Sequence, residues 1–186
     1  MTKPLILASA SPRRKELLSQ LGYRFTVKAT NVEERREPHE SADEYVARLS
    51  KDKAQAALDL EPSAIVIGSD TVVVCEQQVL EKPHDLEHAR QMLQMLSGRE
   101  HQVMTAVTVA SQERHETVVV STSVWFKTLS DKEIEQYWQT GEPCDKAGSY
   151  GIQGIGGRFV TRIEGSYHAV VGLPLFETDQ LLQKFL

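Results

Sequence analysis

Short apolar runs alternate with helix-start signals along the first third of this chain, and this order constrains the fold more than any other feature. Residues 5–7 and 25–29 read as strands, and a helix signal follows each of them. Ser11 precedes Pro12 as an N-cap, and Ser41 opens a capping box. Strands that alternate with helices predict an α/β architecture with parallel strand pairs.

The rest of the chain adds antiparallel elements to this pattern. Residues 64–68 form an apolar run of the buried-strand type, and the long β-branched stretches 101–110 and 117–127 predict an antiparallel pair. The remaining predicted elements are a helix that follows Pro83 and Asp85 and runs to Leu96, a helix from Ser130 to about Gly141, a strand over 158–163 and a last helix from about Leu175. We therefore predict an α/β fold with a mixed twisted sheet. The lack of a linker or repeat predicts a single domain over residues 1–186.

Composition narrows the classes of partner. A formal net charge of −5 without any basic run argues against nucleic-acid binding. The apolar stretch near the start is too short for a signal peptide, and no segment is long enough to span a membrane. Cys75 and Cys144 have neither metal-ligand spacing nor a disulfide framework. We therefore expect a cytoplasmic protein that binds neither nucleic acid nor a membrane.

Arg13 and Arg14 occupy the first turn of the first predicted helix, which is an unfavourable position for a cation. The helix macrodipole is positive there, and the unpaired N–H groups point outward. One interpretation is an anion site, in which those N–H groups, the Ser11 hydroxyl and both guanidinium groups bind phosphate. The alternative is that both arginines are merely solvated, since the energetic penalty is small. This segment alone favours neither interpretation.

Asp70 is the strongest single candidate for a catalytic residue. It follows the apolar run 64–68 at the carboxyl edge of a predicted strand, where ligands bind in open α/β sheets. A carboxylate at that edge can hold a metal or activate water. A capping role is the weaker account because residues 72–74 continue as β and no helix follows.

Other polar groups carry weaker signals. Glu33 lies in a charged loop, Lys53 lies on a helix where lysine usually faces solvent, and Lys82 lies in a turn. Five of the eleven glycines fall within residues 146–157, which permits close backbone approach to a ligand but lacks the spacing of a dinucleotide fingerprint. Gln153 in this loop carries an amide that is suited to reading a base edge.

Residues 84–88, HDLEH, match the H-x-x-E-H pattern of a zinc peptidase family. His84 would lie at a helix cap, and the chain supplies no clear third ligand. A five-residue match in a small protein is weak evidence. A zinc hydrolase built on His84 and His88 therefore stays only as an alternative.

Seven segments spread over nearly the whole chain form one ordered pattern. They are LASASPRRKELL at 7–18, Glu33, ARLSKDKA at 47–54, GSDT at 68–71, LEKP at 80–83, DKAGSYGIQG at 145–154 and GSYHAVVGLPL at 165–175. Each segment alone is weak, but together and in register they resemble the Maf family of nucleotide pyrophosphatases. This resemblance implies an α/β fold with two lobes around a central cleft, similar to the inosine triphosphate pyrophosphatases.

The activity that the resemblance implies is hydrolysis of a nucleoside triphosphate to the monophosphate and diphosphate, with a divalent cation such as Mg²⁺, Mn²⁺ or Co²⁺. Gln153, Thr71 and Arg13 match the family members that act on dTTP and UTP. A related subgroup, which acts on 7-methylguanosine triphosphate, carries Glu instead of Gln in the loop. The resemblance is also compatible with removal of modified pyrimidine nucleotides and with a homodimer.

The resemblance also implies roles for individual residues. Those that would bind substrate are Ser11, Arg13, Arg14, Lys53, Thr71, Lys82 and Gln153. Glu33 and Asp70 would hold the metal ion or the attacking water. Asp70 is the expected proton acceptor, either as a metal ligand or through a metal-bound water. A nucleotide-binding regulator of cell division or septum formation, with little turnover, is the alternative function.

Overall fold

Helices begin at the capping signals that the sequence carries. In the computed structural model, which describes residues 1–186, the side chains of Ser11 and Ser130 each accept a hydrogen bond from a backbone N–H of the first turn. The capping box at Ser41 is also present. The helices are α1 Pro12–Gln20, α2 Ala42–Leu60, α3 Leu86–Leu96, α4 Asp131–Gln139, α5 Tyr167–Val171 and α6 Leu175–Phe185. None of them is both long and apolar enough to cross a membrane.

Seven strands form one mixed sheet. They are β1 Leu5–Leu7, β2 Thr26–Val27, β3 Ile65–Cys75, β4 Gln78–Leu80, β5 Glu100–Ala110, β6 His115–Phe126 and β7 Val160–Glu164. Their order is β2-β1-β3-β5-β6-β7, and β4 pairs with β3. The pairs β1–β2 and β1–β3 are parallel, whereas β3–β4 and β6–β7 are antiparallel. The predicted α/β fold with a mixed sheet is therefore confirmed.

Two details of the structure differ from the sequence-based expectation. Residues 65–75 form one continuous strand, so the prediction that Asp70 follows the end of a strand is wrong. β-Branched residues on both sides of the Gly68-Ser69 pair extend the strand through it. The short helix α5 was not predicted, because five residues are too few to show a helical period.

The chain forms two compact units, each assembled from separate segments. The first unit comprises residues 1–70, 105–120 and 172–186, and the second comprises residues 71–104 and 121–171. In the first unit, buried residues of α2 and of β1 and β3 or directly next to these strands form an apolar cluster: Ile6, Ala8, Ala54, Ala57, Leu58, Ala64 and Val66, with Ala110. The second unit has its own core, which includes Met92, Leu93, Leu96, Phe126, Ile134, Tyr137 and Phe159. The change from the first unit to the second falls directly after Asp70.

Candidate functional site

The start of α1 keeps its two arginines without any acidic residue in the first turn. Ser11 Oγ accepts a hydrogen bond from Arg14 N at 3.3 Å, and Ser9 Oγ accepts one from Ser11 N at 3.1 Å. These contacts satisfy part of the helix end and fix the direction of its entry. The predicted cap is confirmed, and the excess of positive charge in this turn requires compensation from elsewhere in the fold.

Gly68 allows β3 to approach α2 unusually closely. A Cβ atom at this position would lie 2.2 Å from the Ser50 carbonyl oxygen and 2.7 Å from Ala54 N, both of which are helix backbone atoms. Any side chain here would force the helix away from the strand. The close approach brings Lys53 of α2 within reach of Asp70, which lies two residues beyond Gly68 on β3.

Lys53 joins two carboxylates of the first unit. Its Nζ lies 2.8 Å from Asp70 Oδ1 and 2.9 Å from Glu34 Oε1. The Lys53 and Asp70 side chains are only 15% and 10% exposed, so solvent screens this pair weakly. Lys53, which the sequence pattern placed on a solvent-facing helix surface, is therefore part of a charged cluster with Asp70 and Glu34.

Burial dominates the electrostatics of Asp70. It raises the pKa of the Asp70 carboxyl above its ordinary value, while the charges of Lys53 and Arg14 act in the opposite direction. Burial likewise lowers the pKa of Arg14, and the Asp70 charge counteracts that effect. Asp70 and Glu34 thus supply negative charge to Arg14 at the start of α1.

Gly172 connects the start of α1 to β3 within the first unit. Its carbonyl oxygen accepts hydrogen bonds from Arg14 Nε at 2.8 Å and from Ser69 Oγ at 3.2 Å. The Arg14 guanidinium is therefore held in one orientation by backbone that comes from a distant part of the sequence. Fixed arginine geometry of this kind favours recognition of a planar or tetrahedral oxyanion.

Glu34, rather than Glu33, is the acid that contacts Lys53. Both acids are exposed on the same loop, and the predicted role of Glu33 as a metal ligand stays a prediction. Sequence reasoning missed Glu34 because consecutive acids in a charged loop carry no signal that distinguishes them. The ion pair with a buried lysine is the feature that distinguishes Glu34 in the structure.

The other predicted substrate-binding residues, Thr71, Lys82 and Gln153, belong to the second unit. Thr71 is the first residue of this unit and is partly buried. Lys82 is exposed in the segment that follows β4. Gln153 is exposed on a turn of the glycine-rich loop. This loop is anchored next to Lys82, because the backbone N–H of Gly148 donates to the Glu81 carbonyl at 3.2 Å.

The two histidines of the HDLEH segment, residues 84–88, make their contacts at the start of helix α3. The Asp85 carboxylate caps α3, because it accepts a hydrogen bond from the backbone N–H of His88 at 2.8 Å. His88 Nδ1 in turn accepts a hydrogen bond from the backbone N–H of His84 at 3.1 Å. The two imidazole rings stack with their centroids 4.8 Å apart. No group of three or more His, Cys, Asp or Glu residues in the chain is arranged to hold a metal ion. The zinc hydrolase alternative therefore has no structural support.

Chemically, the first unit combines a buried carboxylate with cations that are fixed in position. Arg14 and Lys53 can neutralise an anionic substrate, and Asp70 can accept a proton from a nucleophile. Arg13 adds a further cation at the same helix start, and it lies close enough to affect the pKa of Arg14. This is the combination that phosphoryl-transfer enzymes require, because their catalysis rests on positioning and charge neutralisation.

Comparisons with known proteins identify relatives over the full length of the chain. A family model described as Maf-like protein matches residues 4–185. The dTTP/UTP pyrophosphatase of Vibrio parahaemolyticus serotype O3:K6 (strain RIMD 2210633) is 67% identical over 183 residues, which is 98% of this chain and 97% of the relative. The dTTP/UTP pyrophosphatase of Vibrio cholerae serotype O1 (strain ATCC 39315 / El Tor Inaba N16961) is 67% identical over 182 residues, 97% of each chain.

A solved structure, that of the Staphylococcus aureus Ham1 protein, is similar over 69% of this chain and 73% of its own, with a TM-score of 0.45 and 17% identity. The sequence relatives are much closer than this structural neighbour. Because one family model spans almost the whole chain and relatives of matching length share 67% of its residues, the chain belongs to the Maf family.

Proposed function

We propose that this protein hydrolyses dTTP and UTP to the nucleoside monophosphate and diphosphate. The observation that carries the proposal is the buried Asp70 carboxylate, which is paired with Lys53 and lies within electrostatic range of Arg14. Membership of the Maf family and relatives that are named dTTP/UTP pyrophosphatase support the same activity. A protein that only bound nucleotides would have no use for a proton acceptor beside its phosphate-binding cations.

The positively charged groups bind the triphosphate. Arg14, held by the Gly172 carbonyl, and its neighbour Arg13 contact phosphate oxygens together with the Ser11 hydroxyl. Lys53 contributes a further ammonium group from the same unit, and the family resemblance implies that Lys82 also binds substrate. The first turn of α1 has no acidic residue of its own, and a polyphosphate of charge near −4 adds negative charge there to that of Asp70 and Glu34, which accounts for the two arginines at that position.

Asp70 acts as the proton acceptor. Water attacks the α-phosphorus in line, its proton passes to Asp70, and diphosphate leaves. The raised pKa of Asp70, which burial causes, makes it a stronger base than an exposed carboxylate. Lys53 and the arginines stabilise the charge that spreads over the phosphate oxygens in the transition state.

A divalent cation fits the acids on this site. Asp70 and Glu34 both contact Lys53 Nζ, so a cation held by the two carboxylates would take the place of this ammonium group, which would then be released to bind substrate phosphate. Two protein carboxylates suffice for Mg²⁺, which completes its shell with water and substrate phosphates. When bound, the cation would neutralise phosphate charge and lower the pKa of a coordinated water. Glu33, the acid that the family resemblance favours, is one residue away on the same loop.

Base recognition is assigned to Gln153. Uracil and thymine present a carbonyl acceptor beside an N3–H donor, and a primary amide pairs with both groups at once. Cytosine reverses the pattern at N3 and N4, so an amide held in one orientation mispairs with it. In this proposal that orientation is assigned to Thr71, which belongs to the same unit as Gln153. A polar site rejects such a mismatch because its own groups are left unpaired.

The test is to incubate the protein with dTTP, UTP, CTP and the purine triphosphates, each with Mg²⁺, Mn²⁺, Co²⁺ or EDTA. Products are separated by chromatography. Formation of dTMP and UMP with diphosphate, faster than from the other triphosphates, is expected. Release of inorganic phosphate together with a nucleoside diphosphate would overturn the proposed reaction type. Tight binding without products would instead favour the nucleotide-binding regulator.

Three further expectations stay predictions: the divalent cation, a homodimer and a cytoplasmic location. EDTA in the incubation above tests the first of them. Sedimentation of the purified protein tests the second, and cell fractionation tests the third. Removal of modified pyrimidine nucleotides from the nucleotide pool is a matching physiological role, because the proposed site reads only the base edge that those nucleotides retain.

A further inference from the structure

The glycine-rich loop encloses a carboxylate of its own chain. Glu142 Oε2 accepts a hydrogen bond from Ile155 N at 2.8 Å, and Oε1 accepts from Gly156 N at 3.1 Å and from Tyr137 OH at 2.7 Å. Tyr137 OH in turn accepts from Gly151 N at 3.0 Å. The backbone on both sides of Gln153 is therefore bonded either to Glu142 or to its phenol partner.

Close packing shows that the loop is shaped around this carboxylate. A Cβ atom at Gly154 would lie 2.4 Å from Glu142 Oε2, and one at Gly156 would lie 2.6 Å from Tyr137 OH. Neither glycine has a positive φ. These positions therefore require glycine because it has no side chain, and not because the backbone conformation is unusual. The glycines thus make room for Glu142 and Tyr137.

Glu142 is held in its charged form. Burial alone would raise its pKa, but the hydrogen bonds from Tyr137, Gly156 and Ile155 together lower it below the ordinary value. Lys146 adds a favourable charge, and its Nζ donates to the Glu142 carbonyl at 3.1 Å and to Asp145 Oδ1 at 2.9 Å. A carboxylate with this many donors is a fixed internal anion.

We propose that Glu142 is a positioning residue that orients Gln153 for base recognition by organising the loop on both sides of it. This inference rests on the proposed function of the site. It also assigns the Ile155 and Gly156 N–H groups to an internal anion, so these groups are not donors to substrate phosphate. The glycine-rich loop is therefore assigned to recognition of the base and not to binding of the polyphosphate.

Glu142→Gln is the variant that tests this role with little change in shape. The Gln side chain has one acceptor oxygen, whereas the Glu carboxylate has two. Its NH₂ group would therefore face either the N–H of Ile155 or the two donors on the other side, Gly156 N–H and the Tyr137 hydroxyl. One backbone donor is left without an acceptor, and the loop shifts to relieve it. Glu135→Gln is the matched control, because Glu135 is an exposed acid on α4.

The kinetic readout is kcat/KM for UTP and for CTP in the wild-type protein and both variants. We expect Glu142→Gln to lose about tenfold in kcat/KM for UTP, mainly through KM, and to lose a similar factor in the UTP-to-CTP ratio. Glu135→Gln should match the wild type. An unchanged ratio in an active, folded Glu142→Gln protein overturns the role of Glu142 alone. A wild-type protein that hydrolyses no triphosphate overturns the proposed function itself.

A second readout does not depend on activity. Amide hydrogen exchange over residues 150–158 should be faster in Glu142→Gln than in the wild type, while exchange in α3 stays unchanged. Equal exchange rates in this segment would overturn the proposal, because the loop would then not depend on Glu142.

A double-mutant cycle with Gly154→Ala separates this role from general loop damage. The added methyl group displaces the Glu142 carboxylate, so Gly154→Ala alone should reproduce the loss of the UTP-to-CTP ratio. In a Glu142→Ala background the obstructing carboxylate is gone, and Gly154→Ala should cost less than twofold further. Fully additive effects of the two substitutions would overturn the proposal.

Discussion

Lys53 Nζ and Asp70 Oδ1 lie 2.8 Å apart, in an ion pair that joins α2 to β3 and is almost closed to solvent. The pair exists because Gly68 has no side chain to separate the strand from the helix. Removing one member of a buried ion pair leaves the other charge uncompensated, which is usually strongly destabilising. Here Glu34 remains as a second partner of Lys53, so we expect the fold to tolerate the loss of the Asp70 charge.

Asp70→Asn should therefore abolish most activity without unfolding the protein. The amide keeps the shape of the carboxyl group but cannot accept a proton, so kcat for dTTP should fall about 100-fold or more. Asp59→Asn, on the exposed end of α2, is the control and should leave turnover unchanged. The measurement is steady-state hydrolysis together with the thermal unfolding midpoint. Near-normal turnover in Asp70→Asn would remove this residue from catalysis.

Glu34→Gln should reduce activity more than Glu33→Gln does. Both acids are exposed on the same loop, but Glu34 pairs with Lys53. Loss of the Glu34 charge removes one of two anions on Lys53 and one of the two acids that fit a cation, so we expect about a tenfold or larger fall in kcat/KM. The two variants have equal charge and composition, which makes each the control for the other. The reverse ranking would return the metal-binding role to Glu33.

Much of the secondary structure follows from the sequence because capping is a local interaction. Ser11, Ser41 and Ser130 each mark a helix start within a few residues of its own backbone, and all three starts are confirmed. Gly68 shows where local reasoning fails. Within a strand a glycine usually indicates a weakened strand, but the role of Gly68 depends on backbone atoms of Ser50 and Ala54, which belong to the preceding helix α2.

The candidate site was less accessible to sequence reasoning than the fold. Asp70 was found because it follows the apolar run 64–68, although the strand continues past it, and burial, which the sequence does not show, raises its pKa. Lys53 and Glu34 carried no comparable signal, because lysines on helices and acids in loops are common. Glu142 was missed for the same reason, since only the folded loop shows that its carboxylate has three donors.

Gln153→Glu should weaken the preference for uracil and thymine. A carboxylate cannot donate to a base carbonyl oxygen, so one of the two hydrogen bonds of the proposed pairing is lost. We expect the ratio of kcat/KM for dTTP over CTP to fall about tenfold or more, with little change in stability because Gln153 is exposed. The measurement is kcat/KM for each triphosphate in both proteins. An unchanged ranking would remove Gln153 from the specificity site.

His84→Ala and His88→Ala should leave hydrolysis within about twofold of the wild type, as expected for surface substitutions away from a site. Their contacts are confined to each other and to the start of α3. Activity and bound zinc should be measured on the same preparations. A joint loss of both would revive the zinc hydrolase that the sequence alone left open.

His101 gives the second unit a pH-dependent stability. It is 2% exposed, its Nε2 lies 2.6 Å from Tyr150 OH, and its Nδ1 has no hydrogen-bond partner. The Phe126 ring packs edge-on against it, with centroids 4.9 Å apart. Burial lowers the pKa of His101 from 6.5 to about 4. Nothing near the ring compensates a positive charge, so the folded protein keeps His101 neutral.

The unfolded chain, in contrast, protonates this histidine near its ordinary pKa of 6.5. Between pH 6.5 and 4 the unfolded state therefore binds more protons, so the free energy of unfolding falls as the pH falls. At pH 5 the loss from His101 alone should be about 2 kcal/mol. Urea unfolding at pH 7 and pH 5 measures it, with His101→Gln as the reference that keeps a polar group beside Tyr150 without titrating. The wild-type protein should lose more stability over this interval than His101→Gln does, and equal losses in the two proteins would show that His101 titrates normally in the fold.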